Sequence, residues 1–560
     1  MMAGAAGADT RATLRWTLLL LGGWLLAAVL VNPIGDFPLD DDWSYGLTVR
    51  TLLTSHRLHL TDFTSMPLLP QVLWGWLFCL PAGFSFTALR VSTLVAAAGG
   101  LWLVFHLGRQ LGLRPGPAAL LAAVVGFNPL YFALSFSFMT DVPFTVLAVA
   151  AIAAFVTAWT RHRPGWFWTG VALTTLATLL RQLGLAVALG ASLAESVRLG
   201  KVRARAWAPL AASLAALTLW TVALRLWVGL PAYYRAPEQL LLDQARLGVW
   251  STLKRIAFTA GETFAYVGLF TLPIQRLLPP ARLTAPSPRV ATIARATAIA
   301  AGVASAATLV LRKAAMPLTG NILTNLTLYP VMMPGADHLP TAPLWVWRVL
   351  TAVAVVGGAL LVERLVVGLS WLAPHRTDLL RPDPVVGLFL FGCGAWYLLP
   401  FLPMPSPGFY DRYFLPLIVI AALLAVWTAS RVPHAASRSG VAAAAAAVAL
   451  CVLFAVPAMH DTLALNRARW QAVHWATAED GLPPRAVDGG FEVNGWYYFA
   501  NGARLTAPTT AWHHPAHPQA IVALSPLAGY RAIRTFSFPR WLPPGAGRVY
   551  VLMRAATPAS

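Results

Sequence analysis

WTLLLLGGWLLAAVLVNPIGDFPLDDDWSYGL, residues 16–47, opens with sixteen residues that carry no charge and closes on three consecutive carboxylates. An uncharged apolar run of this kind, long enough with its flanks to cross a bilayer, predicts a membrane-spanning helix over 14–31. The turn residues after it predict that the chain leaves the lipid near Asn32. Arg11 and Arg15 before the run imitate a signal peptide, but no small-x-small cleavage pattern precedes Asn32. The expectation is an uncleaved first span.

The same reading extends through most of the chain. Of its 560 residues 58% are hydrophobic and 11% charged, with 23 Trp and a mean hydropathy of +0.64. Soluble domains carry about 25% charged residues. A surface this poor in charge needs lipid as its solvent, so a bilayer is the first expected partner. A net charge of +20 invites a nucleic-acid reading. The arginines, however, fall in short gaps between apolar runs, where the cytoplasmic loops of membrane proteins concentrate them. Nucleic acid is therefore excluded as a partner. Cys79, Cys393 and Cys451 lie far apart in apolar stretches and read as small buried hydrophobes.

About thirteen spans are predicted, over 14–31, 86–107, 117–135, 142–160, 165–180, 183–198, 207–228, 257–275, 291–311, 342–368, 384–402, 413–430 and 440–456. With the N-terminus inside, the inner loops hold Arg109 and Arg114, Arg161 and Arg163, then Lys201, Arg203 and Arg205. Further inner loops hold Arg276, Arg282 and Arg289, Arg376 and Arg381, and Arg431 and Arg438. The opposite loops hold Asp36, Asp40, Asp41, Asp42, Asp62, Asp141, Glu238, Asp243, Asp337 and Asp411. Charge bias and hydropathy agree on one topology, with a cytoplasmic N-terminus. The first outer loop, 32–85, contains a short Pro-bounded apolar piece, Pro67 to Leu80, expected to lie at the interface. A transmembrane domain over 1–456 is followed by a tail, 457–560, of lower apolar density. The tail is expected to be a small extracytoplasmic α/β domain. The fold class predicted is an all-α polytopic membrane protein with that tail attached.

Unusual charges gather at the outer edge. Asp40, Asp41 and Asp42 repel one another, so at least one should hold its proton more tightly than usual unless a cation compensates. A carboxylate there is a candidate general base; a solvated acidic turn capping the next helix is the plainer reading. Asp141 in SFMTDVPF (137–144) is well placed to cap a helix, yet shares side and depth with the first cluster. Arg181 in TLLRQLG (178–184) and Arg412 in FYDRYFLP (409–416) stand at the same edge, against the charge bias. Each can grip a lipid phosphate or snorkel to headgroups. Lys254, Arg255, Arg312 and Lys313 read as snorkelling residues. His513, His514 and His517 read as loop histidines. No Walker A, Rossmann glycine pattern, HExxH or GxSxG is present.

This arrangement resembles the GT-C superfamily of membrane glycosyltransferases, in the branch of the protein O-mannosyltransferases and lipid A aminoarabinose transferases. The acidic motif Asp-Asp/Glu-x-x-Tyr of that branch is matched by Asp41-Asp42-Trp43-Ser44-Tyr45. Its Pro-led segment and Arg-started span are similar to MPLLPQVLWGWLF (66–78) and LRVSTLVAAAGGLWLVFHLGRQLG (89–112). A second acid follows in FMTDVPF, and DRYFLPL (411–417) resembles the late Arg-Tyr-x-x-Pro motif. The likeness covers 14 to about 230 and returns near 409–420. It implies transfer of a sugar from a polyprenyl-phosphate donor to a lipid, glycan or protein acceptor on the extracytoplasmic face of the plasma membrane. Asp41 is the implied base, with Asp40 open because three consecutive Asp leave the register ambiguous. Asp141 would orient acceptor or sugar, and Arg181 and Arg412 would hold the donor phosphate. Asp42 and Tyr45 complete the acidic motif, and Tyr410, Asp411 and Tyr413 flank the late arginine. A metal is not implied for this branch, although Asp40, Asp41, Asp42 and Asp141 offer ligands for a divalent ion. The alternative is a transporter or flippase for a lipid or sugar, which calls for ionisable residues at the midplane and repeated halves; Glu262 and Glu363 are the nearest candidates. A structural membrane subunit without chemistry is the third reading.

Overall fold

A computed structural model describes residues 2–200, 203–372, 382–405, 408–432, 436–515 and 517–554. Lys201, Arg376 and Arg381, assigned above to inner loops, lie outside the described residues.

The helices, in chain order, are α1 (Met2–Val31), α2 (Asp42–Ser55), α3 (Leu69–Cys79), α4 (Phe86–Gln110), α5 (Pro115–Gly126), α6 (Pro129–Leu134), α7 (Asp141–Thr160), α8 (Pro164–Leu180), α9 (Leu185–Arg198) and α10 (Ala204–Ala223). They continue as α11 (Ala236–Arg246), α12 (Val249–Leu277), α13 (Ala281–Thr284), α14 (Pro288–Leu311), α15 (Leu344–Ser370), α16 (Pro382–Leu398), α17 (Leu415–Ala429), α18 (Arg438–His474) and α19 (Phe491–Ala500). Among the described residues nine helices are long and apolar enough to cross a membrane.

The other four predicted spans also fold as helices, each with a local reason for falling outside that set. The 117–135 stretch is divided into α5 and α6 at Asn128, whose side chain accepts from the Leu130 amide while Pro129 opens the new helix. The 165–198 stretch breaks at Arg181, which is extended and carries the chain into a short turn before α9. At 17 residues α8 is about 26 Å long, and α9 is shorter still. Helix α12 has length enough, 29 residues, but carries Lys254, Arg255, Glu262 and Arg276. Helix α3, at 11 residues, is about 16 Å long, half a hydrocarbon core.

Burial grades the bundle from centre to lipid. Every residue of α17 is buried, whereas α1 leaves Leu14, Leu18, Leu25 and Leu26 bare, as lipid-facing helices do. Where lipid cannot drive helices together, close backbone approach does. Gly268 of α12 lies against Gly358 of α15 so tightly that a Cβ there would meet the Gly358 nitrogen at 2.2 Å.

The two ends of the bundle differ. At one end Asp9 of α1 pairs with Arg109 of α4 at 2.6 Å, and Asp383 of α16 pairs with Arg431 at 2.6 Å. The acidic motif, Asp141, Arg181 and Arg412 gather at the other. The last helix of the bundle does not stop at the expected boundary: residues 456 and 457 lie inside α18, an unbroken 37-residue helix. Its far end carries a four-stranded sheet of order β1-β2-β4-β3, with β1 (Val487–Asp488), β2 (Ala520–Ala523), β3 (Tyr530–Trp541) and β4 (Pro544–Arg554). Strand β1 runs parallel to β2, and the β3–β4 hairpin is antiparallel. Asp461 of α18 accepts the Trp541 and Leu542 amides at 2.8 Å each, and His460 stacks on Trp541. These contacts tie the hairpin tip to the helix.

Candidate active site

The acidic motif is held by a buried arginine. Arg90 of α4 donates to the carbonyls of Phe136 (2.8 Å), Pro33 (2.6 Å), Gly35 (3.0 Å) and Phe37 (2.9 Å). One guanidinium thereby gathers the backbone just before the aspartates and the segment before Asp141. Asp42 adds a second clamp, accepting the Leu39 amide at 2.7 Å and the Phe138 amide at 2.9 Å. The third carboxylate of the run is thus committed to joining two loops at the same end of the bundle.

With Asp42 turned inward, Asp40 and Asp41 face Arg412. Asp40 takes up the left-handed region at φ 53°, which Asp tolerates better than most residues. Its Oδ2 lies 2.5 Å from Arg412 Nη1, and Asp41 Oδ2 lies 2.9 Å from Arg412 Nη2. Asn321 also accepts from Nη1 at 3.0 Å. Arg412 is positioned by its neighbour Asp411, whose carboxylate accepts the Ile322 amide at 2.9 Å and the Leu323 amide at 2.8 Å.

The second pair stands beside the first. Arg181, at the break between α8 and α9, donates to Asp141 at the start of α7. The Tyr413 ring joins the two pairs, lying 5.1 Å from the Arg181 guanidinium and 5.6 Å from that of Arg412. The Tyr397 hydroxyl holds the Tyr413 carbonyl at 3.1 Å. Tyr410 covers Arg412 from another side at 5.0 Å. Tyr45 is buried within reach of Asp41, Arg412, Arg181 and Asp141, and burial raises its hydroxyl well above the usual range.

Two residues of the tail, which sequence reasoning did not single out, complete the cluster. Glu492 of α19 accepts weakly from the Asp40 amide at 3.4 Å and pairs with Arg469 of α18 at 2.8 Å. Both are buried. The available signal was a lone acid in the apolar run GGFEVNGWYYF (489–499). Trp43 fixes the same junction: it is fully buried among Phe63, Phe491, Phe499 and Trp512.

Proton affinity follows from this packing. Burial lifts Asp40 well above the carboxylate range; Asp41 adds to the rise, Arg412 opposes it and Glu492 adds again. Burial also raises Asp41, opposed by the charge and hydrogen bond of Arg412 and assisted by Asp141 and Glu492. Asp42 is pushed up to about 8 by burial, against the Phe138 amide, the Arg90 charge and the Leu39 amide. One guanidinium serves both Asp40 and Asp41, so one of the two lacks a cation of its own. Asp41 is the more accessible, with 15% of its side chain exposed against 4% for Asp40.

The four aspartates do not suit a divalent ion. Asp40 and Asp41 are taken by Arg412, Asp141 by Arg181 and Asp42 by backbone amides. Among the described residues no group of three or more His, Cys, Asp or Glu is arranged to hold a metal. His514 instead pairs with Asp488. Arg255 pairs with Glu262 at 3.6 Å and Arg312 lies over Phe258, apart from the site.

No protein-family model matches the chain, and no curated protein matches it. Among solved structures, it is similar to ArnT from Cupriavidus metallidurans bound to undecaprenyl phosphate. The identity is 13% and the TM-score 0.42, over 96% of this chain and 98% of that one. The apo state of the same protein overlaps at 12% identity and a TM-score of 0.40, over 97% and 98% of the two chains. At such identity and overlap the likeness decides nothing about chemistry, which these residues must carry.

Proposed function

We propose that this chain is a membrane glycosyltransferase that moves a sugar from a polyprenyl-phosphate donor to an acceptor at the end of the bundle where Asp41 lies. The observation that carries the reading is the pair of ion pairs, Asp40 and Asp41 on Arg412 and Asp141 on Arg181, joined through one tyrosine ring. Attack of an acceptor hydroxyl or amine on the anomeric carbon requires a base for the acceptor proton. The bond that breaks joins that carbon to the phosphate oxygen, which departs with the electron pair. A phosphate leaves without a general acid but needs positive charge beside it.

In this reading Asp41 takes the acceptor proton, and its raised proton affinity suits it to work nearer neutral pH than an ordinary carboxylate. Arg412 and Arg181 stabilise the departing phosphate, and Asp141 orients Arg181 and the reacting sugar. No step is routed through a metal. The basic loops lie at the opposite end of the bundle, which supports a cytoplasmic N-terminus and an extracytoplasmic site in the plasma membrane. The far part of α18, with α19 and the sheet it carries, then stands outside and packs on the site.

Membranes containing the wild-type chain, Asp41→Asn or Asp141→Asn, supplied with a radiolabelled polyprenyl-phosphate sugar, test the reading. Transfer by the wild type and loss in both variants is expected. Equal transfer by all three removes the assigned roles.

A further inference from the structure

The β3–β4 hairpin is pinned to α18 at two heights. Near its tip the Trp541 ring stacks on His460 with ring centres 3.8 Å apart, and Asp461 accepts the Trp541 and Leu542 amides. Farther back along β3 the Arg534 guanidinium lies 5.7 Å from the Trp475 ring centre. Asp461 and Trp475 are separated by about 21 Å of helix, and Trp541 and Arg534 by about 24 Å of strand. The hairpin therefore lies along the helix with its tip toward the bundle.

The depth of the tip follows from α18 itself. That helix opens at Arg438, at the end of the bundle where Arg431 lies. Asp461 stands about 35 Å along it, against a hydrocarbon core about 30 Å thick. Arg467 gives a second mark, donating to the carbonyls of Asn32 and Ile34 at 3.1 and 3.0 Å, just past the end of α1 at Val31. Asp461 precedes Arg467 by about 9 Å of helix, which sets the tip level with the last turns of α1. Those turns expose Val29 and Leu30, and α18 exposes Leu450 and Leu453 below the tip, as lipid contact requires.

The tip has the composition of an interfacial element. From Trp541 to Gly547 it carries no charge, and Arg540 and Arg548 bracket it. Trp541 remains 42% exposed despite its stack on His460, and Pro543, Pro544, Gly545 and Ala546 are exposed. An indole with one apolar face free is favoured at headgroup level. The Arg540 Nε is buried without a hydrogen-bond partner, and no Asp or Glu occurs between 493 and 560 to pair with either arginine locally. Guanidinium groups at this height are suited to phosphate oxygens of an anionic surface.

We propose that the hairpin tip anchors the tail to the bilayer. Trp541 and the 543–546 turn enter the interface, and Arg540 and Arg548 hold the phosphates of anionic lipid headgroups. The anchor is independent of the transferase reading, since its residues belong to α18 and the hairpin and not to the carboxylate–arginine cluster.

Fluorescence quenching in bilayers tests it. Cys79 and Cys393 are buried, so the full chain with Cys451→Ala takes a fluorophore at one introduced cysteine. Ala546→Cys labels the tip, and Ala528→Cys labels the far end of the hairpin, about 40 Å away along the strand. The chain is reconstituted into phosphatidylcholine bilayers containing lipid with a nitroxide high on its acyl chain. Quenching at 546 is expected to exceed that at 528 at least about threefold. At 546 it should be at least about twofold stronger when the nitroxide is on phosphatidylglycerol than on phosphatidylcholine at equal mole fraction. Arg548 is exposed, so Arg548→Gln alone should lower that preference with the thermal unfolding temperature unchanged; adding Arg540→Gln should abolish it. Equal quenching at 546 and 528, equal quenching by the two lipids, or a preference that survives both substitutions would overturn the proposal.

Discussion

Arg412 Nη2 lies 2.9 Å from Asp41 Oδ2 across 371 positions of chain, while its Nη1 meets Asp40 at 2.5 Å. A planar fork that meets two carboxylates at once is not replaceable by a point charge. Arg412→Lys is therefore expected to reduce transfer at least about 100-fold, within the range for loss of a charge-stabilising donor. Arg412→Ala should fare no better. Transfer by the lysine variant within a few-fold of wild type would show that the fork geometry is unimportant.

With Asp41 proposed as the base, its ionisation is expected to set the acid limb of the pH profile. On that proposal the ionised form takes the proton, so a raised proton affinity should move that limb above the ordinary carboxylate range. Burial is the main cause, with Arg412 opposing and Asp141 and Glu492 adding. Glu492→Gln removes one negative neighbour and makes ionisation easier. The acid limb of kcat/KM should then move to lower pH. A profile that stays in place, or moves upward, contradicts the placement of Glu492 beside the acids.

The tail is expected to be part of the working site. Trp43 is enclosed by rings from both parts of the chain, and a Cβ on Gly495 would meet its ring at 2.7 Å. Trp43→Ala should cost about 3–5 kcal/mol, the range for emptying a buried aromatic site. Gly495→Val should displace Trp43 and lower transfer while α18 and its hairpin stay folded. Thermal unfolding in detergent and transfer rates, measured together, check both outcomes.

Asp411 acts through the backbone it holds. Asp411→Ala leaves the Ile322 and Leu323 amides without their acceptor, at a cost of about 2–3 kcal/mol for buried donors. Arg412 should lose its alignment with them. The expected result is a fall in kcat larger than any change in donor KM, and an unchanged kcat would separate Asp411 from the site.

Much of this was legible in the sequence because hydropathy and charge act locally. The apolar runs became helices, and the Arg-rich gaps 109–114 and 431 lie together at one end of the bundle. DDDWSY, TDVPF, LLRQ and DRYF, each singled out in the sequence, lie together at one end of the bundle, where Arg412 meets Asp40 and Asp41 and Arg181 meets Asp141; the sequence carried no sign of which arginine pairs with which acid. Less legible was the division of labour among Asp40, Asp41 and Asp42. It depends on which carboxylate meets the amides of Leu39 and Phe138, and no periodicity encodes that. Glu492 is separated from Asp40 by 452 positions, so only folding reveals the pair. The breaks at Asn128 and Arg181 divide apolar stretches that hydropathy alone joins, because capping and an extended backbone at single residues decide them.

Side-by-side transfer rates for Asp41→Asn and Asp40→Asn from a radiolabelled polyprenyl-phosphate sugar test the central assignment most directly. A loss of at least about 1000-fold is predicted for Asp41→Asn, near the upper part of the range for a general base. Asp40→Asn should stay within about tenfold of wild type, because its neighbour keeps the guanidinium in place. Wild-type rates from Asp41→Asn, or the larger loss in Asp40→Asn, would contradict the account.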